Sequence, residues 1–84
     1  MKKEDYFFTF GFGHVNNEGM NLRDHWVRVR ARSFAMARKL FVEQYAQAHL
    51  PSPEQWAMQY HADHFKPRYF RSGELCAIVE QEES

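Results

Sequence analysis

At Ser33 the hydrophobic period of the chain changes. Upstream, Leu22 to Arg32 alternates strictly: His25, Val27, Val29 and Ala31 fall on one side, and Trp26, Arg28, Arg30 and Arg32 on the other. That is the two-residue repeat of a strand. Downstream, Phe34, Ala37, Phe41, Tyr45 and Ala48 recur at steps of three and four, joined by Leu40, while Arg38, Lys39, Glu43 and Gln47 fall elsewhere. That is the repeat of an amphipathic helix. Ser33 suits the N-cap, because its side-chain oxygen can accept an orphan N–H of the first turn. The helix is expected to run to about His49 and to stop at "LPSP", since the residue before a proline avoids helical backbone.

The segment before this junction is unusually aromatic. In "YFFTFGFGH", Tyr6, Phe8, Phe10 and Phe12 share one face of a strand spanning Asp5 to Phe12, and Phe7, Thr9 and Gly11 share the other. Both faces are apolar, so alternation does not say which one is inside. "HVNNEGMN" supplies Asn16, Asn17 and Gly19, which tolerate the left-handed backbone of turns. Strand, turn and strand predict a hairpin with a long loop.

Beyond the helix the local signals conflict. Ser52, Pro53 and Gln55 form a capping-box pattern with proline at the first helical position. Yet Trp56, Met58 and Tyr60 alternate with Ala57 and Gln59 as a strand would. "HADHFKPRYF" has room for one helical turn before Pro67, "RSG" is a turn, and Glu74 to Gln81 reads as a terminal strand.

Eighty-four residues make one small domain, 1–84, with ends expected to fray over 1–4 and 81–84. A chain this short buries only about 60–65% of its surface, so its core is thin. Cys76 is the only cysteine, which excludes an internal disulfide and fits a reducing compartment. No apolar stretch approaches the roughly 18–20 residues of a membrane span, and no charged n-region opens the chain. These features point to the cytoplasm. The net charge is zero, but residues 23–39 sum to +5 and residues 74–84 to −4. This is not the global charge of a nucleic-acid binder.

The chemistry-bearing candidates are few. "GFGH" has a Gly-x-Gly after a strand but lacks the third glycine and following helix of a dinucleotide fingerprint, so a turn is expected and no cofactor. His61 and His64 stand three apart, with Asp63, Cys76 and His14 as further donors, but at no zinc-site spacing. No nucleophile motif or carboxylate pair points to an enzyme. "HWVRVRARS" is the strongest binding candidate: Trp26, Arg28, Arg30 and Arg32 form a ridge, flanked by Arg68 and Arg71 of "KPRYFR". Three readings stay open. The ridge is a solvated face paired with the acidic tail, a protein-binding hot spot, or a surface that tracks phosphates while aromatics stack bases.

"YFFTFGFGH", the hairpin return, "FAMARKLFVEQY" and "WAMQY" together resemble a group of short bacteriophage- and prophage-encoded proteins. These open with a similar Tyr/Phe-Thr-Phe-Gly segment and a nearby histidine. The resemblance covers about the first two-thirds of the chain, and it implies a strand for "QWAMQY". The expected fold is then α+β: a mainly antiparallel four-stranded sheet in the order strand, strand, helix, strand, helical turn, strand, with the helix on one face. Val27, Val29, Phe34, Ala37, Phe41 and Tyr45 are expected at that interface. One helix leaves the second face to solvent or a partner, and with the aromatic content this suggests a homodimer. The phage-like resemblance, together with the absence of catalytic motifs, points to a non-enzymatic protein of a bacterial host's cytoplasm that binds and inhibits a host protein, as anti-CRISPR and other anti-defence proteins do. The alternative is a small nucleic-acid-binding protein.

Overall fold

The computed structural model describes residues 2–11, 13–52, 56 and 58–81. Four strands, β1 (Glu4–Thr9), β2 (His25–Ala31), β3 (Met58–His61) and β4 (Gly73–Val79), form one sheet in the order β3-β1-β2-β4. Between β2 and β3 runs the helix, α1 over Phe34–Phe41, continued by a π-helical turn over Val42–Ala46 and a last α-turn over Gln47–His49. Phe12, and residues 53–55 and 57 of the proline-rich segment, lie outside the described residues.

The fold is α+β with one main helix, as its sequence pattern predicts, and the expected antiparallel sheet is met in part: the sheet is mixed, with two antiparallel pairings and one parallel. β1 is antiparallel to both β2 and β3, whereas β4 is parallel to β2. The cause is the connections. β2 and β3 both oppose β1 and therefore run the same way, so the helix between them is a crossover that leaves β1 in the middle. Residues 62–72 form a second crossover, carrying the chain from the β3 edge to the β2 edge. A parallel pairing needs such a long return, whereas a hairpin would have given an antiparallel edge.

The helix end of the pattern is well formed. Ser33 has extended backbone, and its hydroxyl accepts the Met36 N–H at 3.1 Å. Ala37, Phe41 and Tyr45 are buried as their spacing requires. Two positions depart from it. The π turn adds a residue to the repeat, so Ala46 is buried and Ala48 is exposed. Phe34 sits at the first turn and is 47% exposed, touching Tyr6 at a ring distance of 4.6 Å rather than entering the core.

Tyr6 and Phe8 of β1, and Phe10 just past it, face the helix with Val27, Val29, Ala31 and Ile78. The register sets Phe8 opposite Val27 and Tyr6 opposite Val29. Phe8 is fully buried, stacked on Phe41 with ring centroids 4.3 Å apart, and Trp56 meets its edge at 5.3 Å. Such ring pairs contribute about 0.5–1.5 kcal/mol beyond area burial.

The second face is not simply open. The 62–72 crossover packs on residues of β3, β1 and the start of β2. Phe65 stacks on Phe7 at 4.1 Å, Trp26 meets the Phe65 ring edge-on at 5.3 Å, and Phe70 stacks on Phe65 at 5.2 Å. The expected helical turn before Pro67 instead starts at Pro67, as a 3-10 turn over Pro67–Tyr69. Pro67 occupies the first position because its missing N–H is an orphan there in any case.

Phe41 joins the helix to β1, so its truncation tests the whole arrangement. Phe41→Ala is expected to cost about 3–5 kcal/mol, against a total of about 5–15 kcal/mol for a small domain. Thermal unfolding should show Tm lowered by more than about 10 °C. A Tm within a few degrees of the parent would contradict the stacking on Phe8.

Candidate functional site

The hairpin loop is a structural device. Gly11 N–H donates to His14 Nδ1 at 2.9 Å, Leu22 N–H donates to the His14 carbonyl, and Asn17 N–H donates to the His49 carbonyl at 2.8 Å. The "GFGH" glycines thus belong to a turn that docks against the end of the helix, and no helix follows them.

His61 is likewise engaged. Its Nδ1 lies 3.1 Å from the Asp63 N–H and accepts from it, which leaves Nε2 to donate to Glu4 at 3.1 Å. Among the described residues no group of three or more His, Cys, Asp or Glu side chains is arranged to hold a metal ion. Cys76 is half-buried on β4 against the core.

The arginine ridge is where its alternation predicts, on the face opposite the helix, but each member meets a carboxylate. Arg28 Nε lies 3.2 Å from Glu74, and Arg30 Nη1 donates to Asp5 at 3.1 Å. Trp26 is half-buried beside Phe65. Arg32 lies just past β2, and its Nη2 and Nε donate to Glu80 Oε2 at 2.6 and 3.0 Å while its backbone N–H donates to Oε1. Glu80 is buried, and these Arg32 hydrogen bonds hold its carboxyl below the usual range against the opposing effect of burial. The first two pairs are partly exposed and add little stability, on the order of 0–1 kcal/mol each.

The cations of the 62–72 crossover are placed differently. Among the described residues, no carboxylate lies within 4.0 Å of Lys66, Arg68 or Arg71. Arg68 engages its neighbour: its guanidinium lies 5.1 Å from the Tyr69 ring centroid and donates to the hydroxyl at 3.3 Å. Tyr69 is 62% exposed. Beside it, Tyr60, His64, Lys66, Tyr69 and Phe70 line a groove of about 310 Å³. The crossover is tied to the start of β2, where Ser72 N–H donates to the Asp24 carbonyl at 3.0 Å. The crossover that carries Arg68 and Arg71 packs through Phe65 on the side of the sheet that holds Phe7 and Trp26, while Arg32 closes on Glu80. Sequence reasoning flagged "KPRYFR" as a flank. It did not bring Tyr60 and His64 to it, because only the crossover path does so.

No protein-family model matches the chain, and no curated protein or solved structure is detectably similar to it. The site is therefore read from its own geometry.

The Arg32–Glu80 pair has a pH signature. A carboxyl held low when folded stabilises the fold fully above its unfolded value of about 4.5, and that contribution is lost as pH falls through the lower folded value. Thermal midpoints of Glu80→Gln should fall less between pH 7 and acid than those of the parent. Parallel curves would show that Glu80 titrates as it does unfolded.

Proposed function

We propose that this protein is a non-catalytic binding protein of a phage or mobile genetic element, which inhibits a host protein by occupying its surface in a stoichiometric complex. The resemblance to short phage- and prophage-encoded proteins supports the origin. The observation that carries the binding surface is the division of the cations. The sheet arginines are matched by carboxylates of the same chain, whereas Lys66, Arg68 and Arg71 have none among the described residues and flank the exposed Tyr69 in sequence. Arginine and tyrosine are the side chains that most often dominate protein interfaces. Arg28 and Arg30, with side chains 44% and 49% exposed, extend the surface.

Nucleic acid is the second reading, favoured by the same combination of cations and stackable rings. Asp63, in the crossover with its side chain 82% exposed, counts against a polyanion there.

The test is a pair of charge changes. Arg68→Glu with Arg71→Glu should leave Tm unchanged, because exposed sites rarely alter stability by more than about 0.5 kcal/mol. It should abolish one-to-one capture of the host protein from bacterial lysate and the growth or defence phenotype of that host. Arg28→Gln with Arg30→Gln, which avoids setting new carboxylates beside Glu74 and Asp5, should weaken capture less. A folded Arg68→Glu, Arg71→Glu variant that captures as well as the parent would remove this surface from consideration. Loss of binding to an oligonucleotide instead, with a flattened salt dependence, would favour the second reading.

A further inference from the structure

We infer that the groove beside Tyr69 receives a short acidic segment of a partner protein that carries one aromatic anchor; this rests on the binding surface proposed above. The groove is small. At about 310 Å³ it stands at the lower limit of ligand sites, enough for one large side chain rather than for a cofactor. Its walls differ in kind. Tyr60 and Phe70 form the fixed side, because both pack on Phe65, at ring distances of 6.1 and 5.2 Å, and Phe65 is itself stacked on Phe7. Tyr69 is the open side, exposed and ready to be covered. An inserted ring would lie among three aromatic side chains without reorganising the sheet beneath them.

The rim supplies the charge preference. Lys66 lines the groove, and Arg68 stands over the Tyr69 ring. Neither has a carboxylate partner among the described residues. A guanidinium and an ammonium beside one aromatic slot favour carboxylates immediately flanking the anchor. Asp63 precedes the groove residue His64 in sequence, and its side chain is 82% exposed. A nucleic-acid strand, charged at every residue, would bring phosphates toward this carboxylate. A peptide with one or two acids next to its anchor need not.

The probe is a fluorescein-labelled peptide of about ten residues, with a central Trp flanked by Glu in an otherwise Ser-Gly sequence. Its controls replace Glu by Lys, or Trp by Ser, and a labelled single-stranded oligothymidylate is measured in parallel. Fluorescence anisotropy should show the Glu-Trp peptide binding at least about tenfold more tightly than either control. Backbone amide shifts should map the contact to Tyr60, His64, Lys66, Tyr69 and Phe70. Tyr69→Ala and Lys66→Glu, both at exposed positions, should each weaken it by about tenfold with Tm unchanged. Equal binding of the Glu-Trp peptide and its controls, shifts centred elsewhere, or tighter, salt-sensitive binding of the oligothymidylate would each overturn the inference. If host-protein capture is lost in Arg68→Glu with Arg71→Glu but survives Tyr69→Ala, the inference falls while the proposed binding surface stands. If capture survives both, the two fall together.

Discussion

Phe7 and Phe8 are adjacent residues of β1, and between them they hold both coverings of the sheet. Phe8 lies ring-parallel to Phe41 of the helix, and Phe7 lies ring-parallel to Phe65 of the 62–72 crossover. The interplanar angles are 5° and 4°, so each ring buries most of one face against its partner. Neighbouring strand residues point to opposite faces, and this single dipeptide therefore fixes where two remote segments dock. It also fixes register. A slip of β1 by one residue against β2 would send Phe8 to the crossover and Phe7 to the helix while Val27 and Val29 stayed in the core, so the aromatic strand specifies one pairing strongly.

The same arrangement explains why such a short chain needs aromatic residues on both faces of its first strand. A domain of this size has a thin core under one helix. The crossover supplies a second, smaller cluster from Phe7, Trp26, Tyr60, Phe65 and Phe70 on the other side. β1 is central in the pairing scheme, with β2 on one side and β3 on the other. It is the strand from which both layers can be reached.

What could be read from the sequence was local, and what could not was a matter of long-range closure. The change of period at Ser33 located the strand, the cap and the helix, because each depends on residues within a few positions of one another. Alternation also placed Trp26, Arg28 and Arg30 on the face opposite the helix correctly. It gives a face but not a neighbour, so it could not show that Arg28 meets Glu74 or that Arg30 meets Asp5. The direction of β4 was equally hidden, since parallel and antiparallel edges carry the same apolar run and differ only in the path of the connection. The π turn escaped notice because one added residue leaves the apolar spacing intact up to Tyr45 and shifts it only afterwards, exchanging Ala48 for Ala46. Tyr60 and His64 became part of the candidate site only once the crossover brought Tyr69 and Phe70 beside them.

Those pairings redistribute the meaning of the charge pattern. The basic stretch around β2 and the acidic stretch around β4 are neighbours in the sheet, so Arg28 with Glu74 and Arg32 with Glu80 match the two strands side by side. This matching suits a parallel pair, which is slightly less stable per residue than an antiparallel one. It also removes the ridge as a concentrated positive field, leaving partly exposed ion pairs that hold one another. On the crossover, the positive charge of Lys66, Arg68 and Arg71 meets no carboxylate of the described residues. There it is carried by a segment whose inward side is committed to Phe65 and Phe70 and whose outward side presents Tyr69. Packing fixes the aromatic floor, and among the described residues no carboxylate competes for the cations above it. Covering such a surface breaks no ion pair, and the rigid floor leaves mainly the exposed cations to be ordered, at about 0.5–1.5 kcal/mol for each such side chain.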